Sequence, residues 1–180
     1  MLEGLRQESF GFFRNEVNPQ TGLTADKTQP GSPSSIAAVG MALSVNVLAV
    51  ERNLLSCPEA INRTLTVLRF FQSSRQGPEP DASGYKGFYY HFLDMQTGLR
   101  AWECELSTID TAILMAGILT AAIYFNGPGV EERELRDLAD SLYRRVDWQW
   151  ALDGGTTLTH GWSRNPDFCA AVGITAIAKL

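Results

Sequence analysis

Apolar positions in this chain recur mostly at helical spacing, broken by loops rich in glycine and proline. From Leu2 to Val17, the residues Leu2, Leu5, Ser9, Phe12 and Phe13 fall near one face, which predicts an amphipathic helix stopped by "NPQTG". "QPGSPSS" then leads into an apolar helix from Ile36 to Val50. Its small residues Ala37, Ala38, Gly40 and Ala42 allow a neighbouring helix to come close. Gly40 in that interior costs about 1 kcal/mol of propensity relative to alanine. A third helix starts at Ser56, where S-x-x-E with Pro58 in the first turn is a capping signature, and Ile61, Leu65, Leu68 and Phe71 follow at helical spacing.

The period then changes. Tyr85 to Glu105 is aromatic and roughly alternating around "DMQTG", as expected of a β-hairpin or extended loop. Alternation would put Phe88, Tyr90 and Phe92 on one face and Tyr89, His91 and Leu93 on the other, one of them core. A fourth helix starts at Ser107, with Asp110 placed to share in its cap, and runs to Phe125 before "NGPG". "VEERELRDLADSLYRRV" is a fifth, acidic first and basic last as the helix dipole favours. "DWQWALDGGTTLTHGW" is a second aromatic, glycine-rich loop or hairpin. Helices in hairpin pairs with aromatic loops between them predict an all-α toroid or solenoid, without the internal repeat of a helical-repeat array.

Composition narrows the classes of function. The chain has 180 residues, 44% hydrophobic and 19% charged, which suits one globular domain with a real core. A net charge of −5 argues against nucleic-acid and anionic-membrane partners, which need a basic face. Cys57, Cys104 and Cys169 show no metal-ligand spacing, and their odd number favours a reducing compartment. The first residues lack a basic start followed by an apolar run, so no signal peptide is expected and a cytoplasmic location is. Gly84 to Ala112 crowds aromatics, His91 and the carboxylates Asp94, Glu103, Glu105 and Asp110 into one stretch. That crowding fits either a strand pair packing its own core or the floor of a saccharide pocket.

The stretches "PGSPSSIAAVGMALS", "GPEPDASGYKGFYYHFLDMQTG", "ELSTIDTAILMAGILTAA" and "TLTHGW" occur in an order that resembles the bacterial glycoamylase-like family, whose members include β-1,2-glucan-degrading enzymes. The match runs from Leu2 to about Trp162. The resemblance implies an (α/α)6 barrel, of which this chain holds about half the helices, with a carbohydrate cleft walled by interhelical loops. An oligo- or polysaccharide partner is then expected, and no cofactor or metal. Sugars present C–H faces and hydroxyls together, so a site needs aromatic platforms edged by polar groups. Tyr89, Tyr90, His91, Asp94, Trp102, His160 and Trp162 are the expected substrate-binding residues, with Asp94 also suited to a turn. Glu105 and Asp110, flanking a helix start that stabilises negative charge, are the expected cleft carboxylates, and neither is assigned as proton donor. Trp148 and Trp150 are most simply packing residues.

After "HGW" the family pattern continues as G-F-L, R-W and Y-x-E-A, whereas this chain reads "SRNPDFCAAVGITAIAKL". From Pro166 onward, the last base of each codon read with the first two of the next permits "GFLRRRWDHRYSEA". A reading-frame change near Asn165–Pro166 is therefore the expectation, with a natural tail as the alternative. On that view residues 1–163 are the N-terminal part of the barrel domain and 164–180 a tail foreign to it. The chain alone would be an inactive fragment that exposes apolar helix faces and is prone to self-association. The alternatives are a non-catalytic glucan-binding or assembly module, and a plain helical scaffold whose aromatic loops serve packing.

Overall fold

The computed structural model describes residues 2–163 and 175–176. Five helices form where the pattern places them: α1 (Leu2–Asn15), α2 (Ile36–Glu51), α3 (Cys57–Ser73), α4 (Thr108–Tyr124) and α5 (Val130–Arg145). The serine half of each capping signature holds. Ser56 Oγ accepts the Glu59 N–H at 3.4 Å, while the Glu59 carboxylate turns outward to Arg63 at 3.5 Å instead of reaching back. Ser107 Oγ accepts the Asp110 N–H at 3.1 Å.

Helices α2 and α4 form the spine. They meet so closely that a Cβ added at Gly117 would stand 2.0 Å from the Gly40 carbonyl oxygen, and one at Gly40 would stand 2.5 Å from that of Ile113. The glycine that costs helix propensity therefore sits where two backbones touch. Both helices are apolar nearly all round, and their outer faces leave Met41, Leu48, Ile109 and Ile123 exposed. Helices α3 and α5 lie alongside each other, tied by a two-pronged Arg69–Glu134 pair at 2.7 Å and by Arg145, which donates to the Phe71 and Gln72 carbonyls at 3.1 Å each. Among the described residues no helix is long and apolar enough to cross a membrane.

The all-α expectation needs correction, because two small sheets join the helices at one rim. One pairs β1 (Ser34–Ser35) with β4 (Phe92–Leu93); the other runs β2 (Gly84–Tyr85), β3 (Phe88–Tyr90), β5 (Leu106–Ser107), β6 (Gly161–Ser163), β7 (Thr175–Ala176). The β6–β7 pair is parallel and the other pairs are antiparallel. The hairpin read around "DMQTG" is closed by an antiparallel bridge between Leu93 and Arg100, and β2–β3 adds a second local hairpin that turns at Lys86–Gly87. The remaining antiparallel pairs join segments far apart in sequence, which periodicity does not reveal. The proposed reading-frame change falls on residues outside those described, apart from β7.

The alternation also fails as a guide to faces. Phe88, Tyr89 and Tyr90 are all buried, since helices cover one side of β3 and the Trp148–Trp162 region covers the other. Phe88 packs against Trp148, Trp150 and Trp162 at ring distances of 5.2, 5.9 and 5.6 Å. Trp148 and Trp150 are packing residues, as expected.

Candidate functional site

Strand register builds the site. Tyr89 pairs with Ser107 and Tyr90 with Leu106, so the next step sets His91 opposite Glu105, and the His91 N–H donates to the Glu105 carbonyl at 3.0 Å. Cross-strand partners project to the same side. His91 Nδ1 accordingly lies 2.8 Å from Glu105 Oε1. The first turn of α4 brings Asp110 to the same imidazole, with Oδ2 3.8 Å from Nε2. Ser107 fixes that carboxylate, donating from Oγ to Asp110 Oδ2 at 2.5 Å while accepting the Asp110 N–H. Asp110 therefore both caps its helix and faces His91. All three side chains are half-buried.

The electrostatics of the pair are reciprocal. Burial by itself would push the Glu105 carboxyl up, but the His91 hydrogen bond and the charges of His91 and His160 hold it below the usual range. Burial likewise opposes charge on His91, yet Glu105, Asp110 and Asp26 together raise it above its ordinary 6.5. A carboxylate only accepts, so Nδ1 carries the proton of the short bond and Nε2 points into the gap beside Asp110. At 3.8 Å that gap is too long for a direct hydrogen bond. A ligand hydroxyl approaching from the side could bond Nε2 and the Asp110 carboxylate together. The same three groups offer ligand atoms within 4.8 Å of one another and so could also hold a metal ion, with Glu105 Oε1 surrendering its bond to Nδ1.

The other expected residues divide. Tyr89 is a correction: it is 0% exposed, its hydroxyl donates to the Phe71 carbonyl at 3.1 Å, and its ring has no face free for a sugar. Trp162 is likewise a core residue, 3% exposed and 4.1 Å from the Trp150 ring. Tyr90 is buried beneath the Arg100 guanidinium, 4.4 Å above its ring. His160 is exposed, and its carbonyl accepts from Thr108 Oγ1 at 2.6 Å, tying the second loop to the start of α4. Glu103 is exposed. Trp102 is 65% exposed and lines an open groove of about 490 Å³ together with Asp94. Asp94 does hold the "DMQTG" turn, accepting the N–H groups of Gln96 and Thr97 at 3.0 and 2.7 Å. A separate hollow of about 280 Å³ between α1, α2 and α3 lies away from the carboxylate–imidazole group, and its charged pair, Glu59 and Arg63, is self-satisfied.

Sequence reasoning missed Ser107 and Asp26 as parts of the site. Ser107 was visible as the cap of "STID", and a hydroxyl that caps a helix can also clamp the acid three residues on. Asp26 carries no local signal, because pairing of Ala25 with Ser34 brings it near.

No family model matches the chain. It is 25% identical over 174 residues, 93% of its length, to an exo β-1,2-glucooligosaccharide sophorohydrolase (non-reducing end) of Parabacteroides distasonis, and spans 23% of that relative. The fold matches a β-1,2-glucanase of the same species with a TM-score of 0.79 at 22% identity, covering 96% of this chain and 24% of that one. It also matches an endo-β-1,2-glucanase of Chitinophaga pinensis with a TM-score of 0.76 at 19% identity, covering 89% of this chain and 39% of that one. The resemblance drawn from the motifs is thus to hydrolases named for β-1,2-glucan, and this chain corresponds to part of each.

Proposed function

We propose that this chain is part of a carbohydrate-active domain that binds β-glucan, with β-1,2-linked glucose as the favoured form, at the His91–Glu105–Asp110 group. The observation that carries the reading is the half-buried imidazole held between two carboxylates, hydrogen-bonded to Glu105 through Nδ1 and 3.8 Å from Asp110 at Nε2. The names of the similar proteins supply the linkage. The architecture that fits is an (α/α)6 barrel in which α2 and α4 are inner helices, because helices apolar on all sides belong in an interior.

The geometry also divides the labour. Glycoside hydrolysis uses two carboxyl groups facing each other across the scissile bond. Here both converge on one imidazole, and Glu105 is held anionic, which suits grasping and orienting hydroxyls more than donating a proton. The proton donor of such a hydrolase would then lie elsewhere in the barrel, and the 180-residue chain alone would bind without turnover. Calorimetric titration with a β-1,2-linked trisaccharide tests this. Saturable binding lost in His91→Ala is the expected result; absence of binding, or reducing ends released by the pure chain, would overturn it.

A second reading, an assembly module that pairs with another chain, draws on the exposed Met41, Leu48, Ile109 and Ile123. A monodisperse monomer on gel filtration at high concentration would exclude it.

A further inference from the structure

We infer that the groove beside Trp102 is a second sugar-binding position, separate from the His91 group, and that Trp102 is its stacking platform. The inference rests on the saccharide reading above and adds to it a position and a length preference.

Two hairpin tips make the groove. Pairing of Ala25 with Ser34 closes the loop 26–33, and pairing of Leu93 with Arg100 closes the loop 94–99. Because Ser34 also pairs with Leu93, the two tips stand side by side. Lys27, Gln29 and Pro30 line one wall, and Asp94, Gln96 and Trp102 line the other. At about 490 Å³ the space lies within the size range of small-molecule sites, roughly 300–1,000 Å³.

Trp102 has two features that packing does not explain. Its ring is largely in solvent, and its backbone has φ +51°, a left-handed conformation that a bulky side chain rarely holds. It meets Phe92 in a T-shaped contact at 5.2 Å and 63°, and at 65% exposure most of its ring surface stays open to a ligand. Asp94 supplies an acceptor beside it. All of its turn bonds, from Gln96 N, Thr97 N and Thr97 Oγ1, go to Oδ1, so Oδ2 is available to a ligand hydroxyl. The amides of Gln29 and Gln96 add donors and acceptors at the rim. An open aromatic face edged by such groups is what a pyranose ring needs: C–H surface on the ring and hydroxyls to the sides.

The groove adjoins the first site. The His91 ring stacks on Phe92 at 3.9 Å, and Phe92 in turn meets Trp102. Asp26, whose charge acts on His91, is followed at once by Lys27 of the groove wall. The two positions are therefore two ring contacts apart, the span of a short oligosaccharide rather than of one sugar.

The test is affinity against chain length. Glucose and the β-1,2-linked di- and trisaccharides are titrated into the chain and its Trp102→Ala variant, by calorimetry and tryptophan fluorescence. The expected result is a Kd for the wild type that tightens with length. Trp102→Ala should weaken the trisaccharide about tenfold and leave glucose unchanged. Trisaccharide should also shift the emission of the exposed tryptophan to the blue, and the variant should lose that shift. If Trp102→Ala binds the trisaccharide within twofold of the wild type, the groove is not a sugar position, while the His91 reading stands. If neither protein binds any of the sugars, both fall together.

Discussion

Trp162 and Trp102 both lie near the rim where the strands meet the helices, and both belong to the aromatic stretches that mark this chain. Trp162 is 3% exposed, clasped by Trp150 and Phe88 on a strand paired with Leu106. Trp102 is 65% exposed on a strained turn. Residue type does not separate a core ring from a ring available to a ligand. What separates them is whether the backbone is paired into the sheet or turned out of it.

The largest expected effect tests the buried member. Trp162→Ala should lower stability by about 3–5 kcal/mol, as removal of a buried aromatic does, measured by urea denaturation. Near-wild-type melting would place Trp162 outside the core after all. Gly117→Ala should cost about 1–3 kcal/mol by overpacking the α2–α4 contact, less than the loss at the ring cluster. The exposed member should behave in the opposite sense. Trp102→Gly relieves a left-handed backbone and should raise stability by about 0.5–1 kcal/mol while removing the stacking surface. Loss of stability there would show that the turn depends on its tryptophan.

How much of this was legible depended on range. Ser56, Ser107 and the charge order of α5 announce their helices because caps and dipoles act within one turn. Gly40 was readable as a contact point, although its partner Gly117 was not. Tyr89 was misread because strands covered on both sides lose the alternation that assigns faces. Trp102 could be proposed from its type, but its groove is set by pairing of Ser34 with Leu93, for which the sequence carries no marker. The neighbourhood of His91 and Glu105 was visible; their register was not.

The smallest predicted effect sharpens the comparison at His91. Its raised value means that its contribution is complete below 6.5 and fades as pH rises through the folded value. The lowered Glu105 contributes above 4.5 and fades as pH falls through its folded value. The pair is therefore firmest between those limits and loosens as pH rises through the folded value of His91. Glu105→Gln should move the His91 titration to lower pH in an NMR experiment, which is simple to assign because the chain has only two histidines. No movement would mean that the 2.8 Å contact does not form in solution.

The long-range pairing of the rim also has a consequence in time. Asn18 donates to the Met95 carbonyl, Ser35 pairs with Phe92, and Leu106 pairs with Trp162, so each closure spans a long loop before any contact rewards it. The turns of each helix form between near neighbours, whereas every rim pair needs distant segments to meet. In pulse-labelling, amides of α2 and α4 should gain protection first and those of His91 and Trp162 last. Nascent chains would therefore spend their earliest moments as forming helices with no binding site.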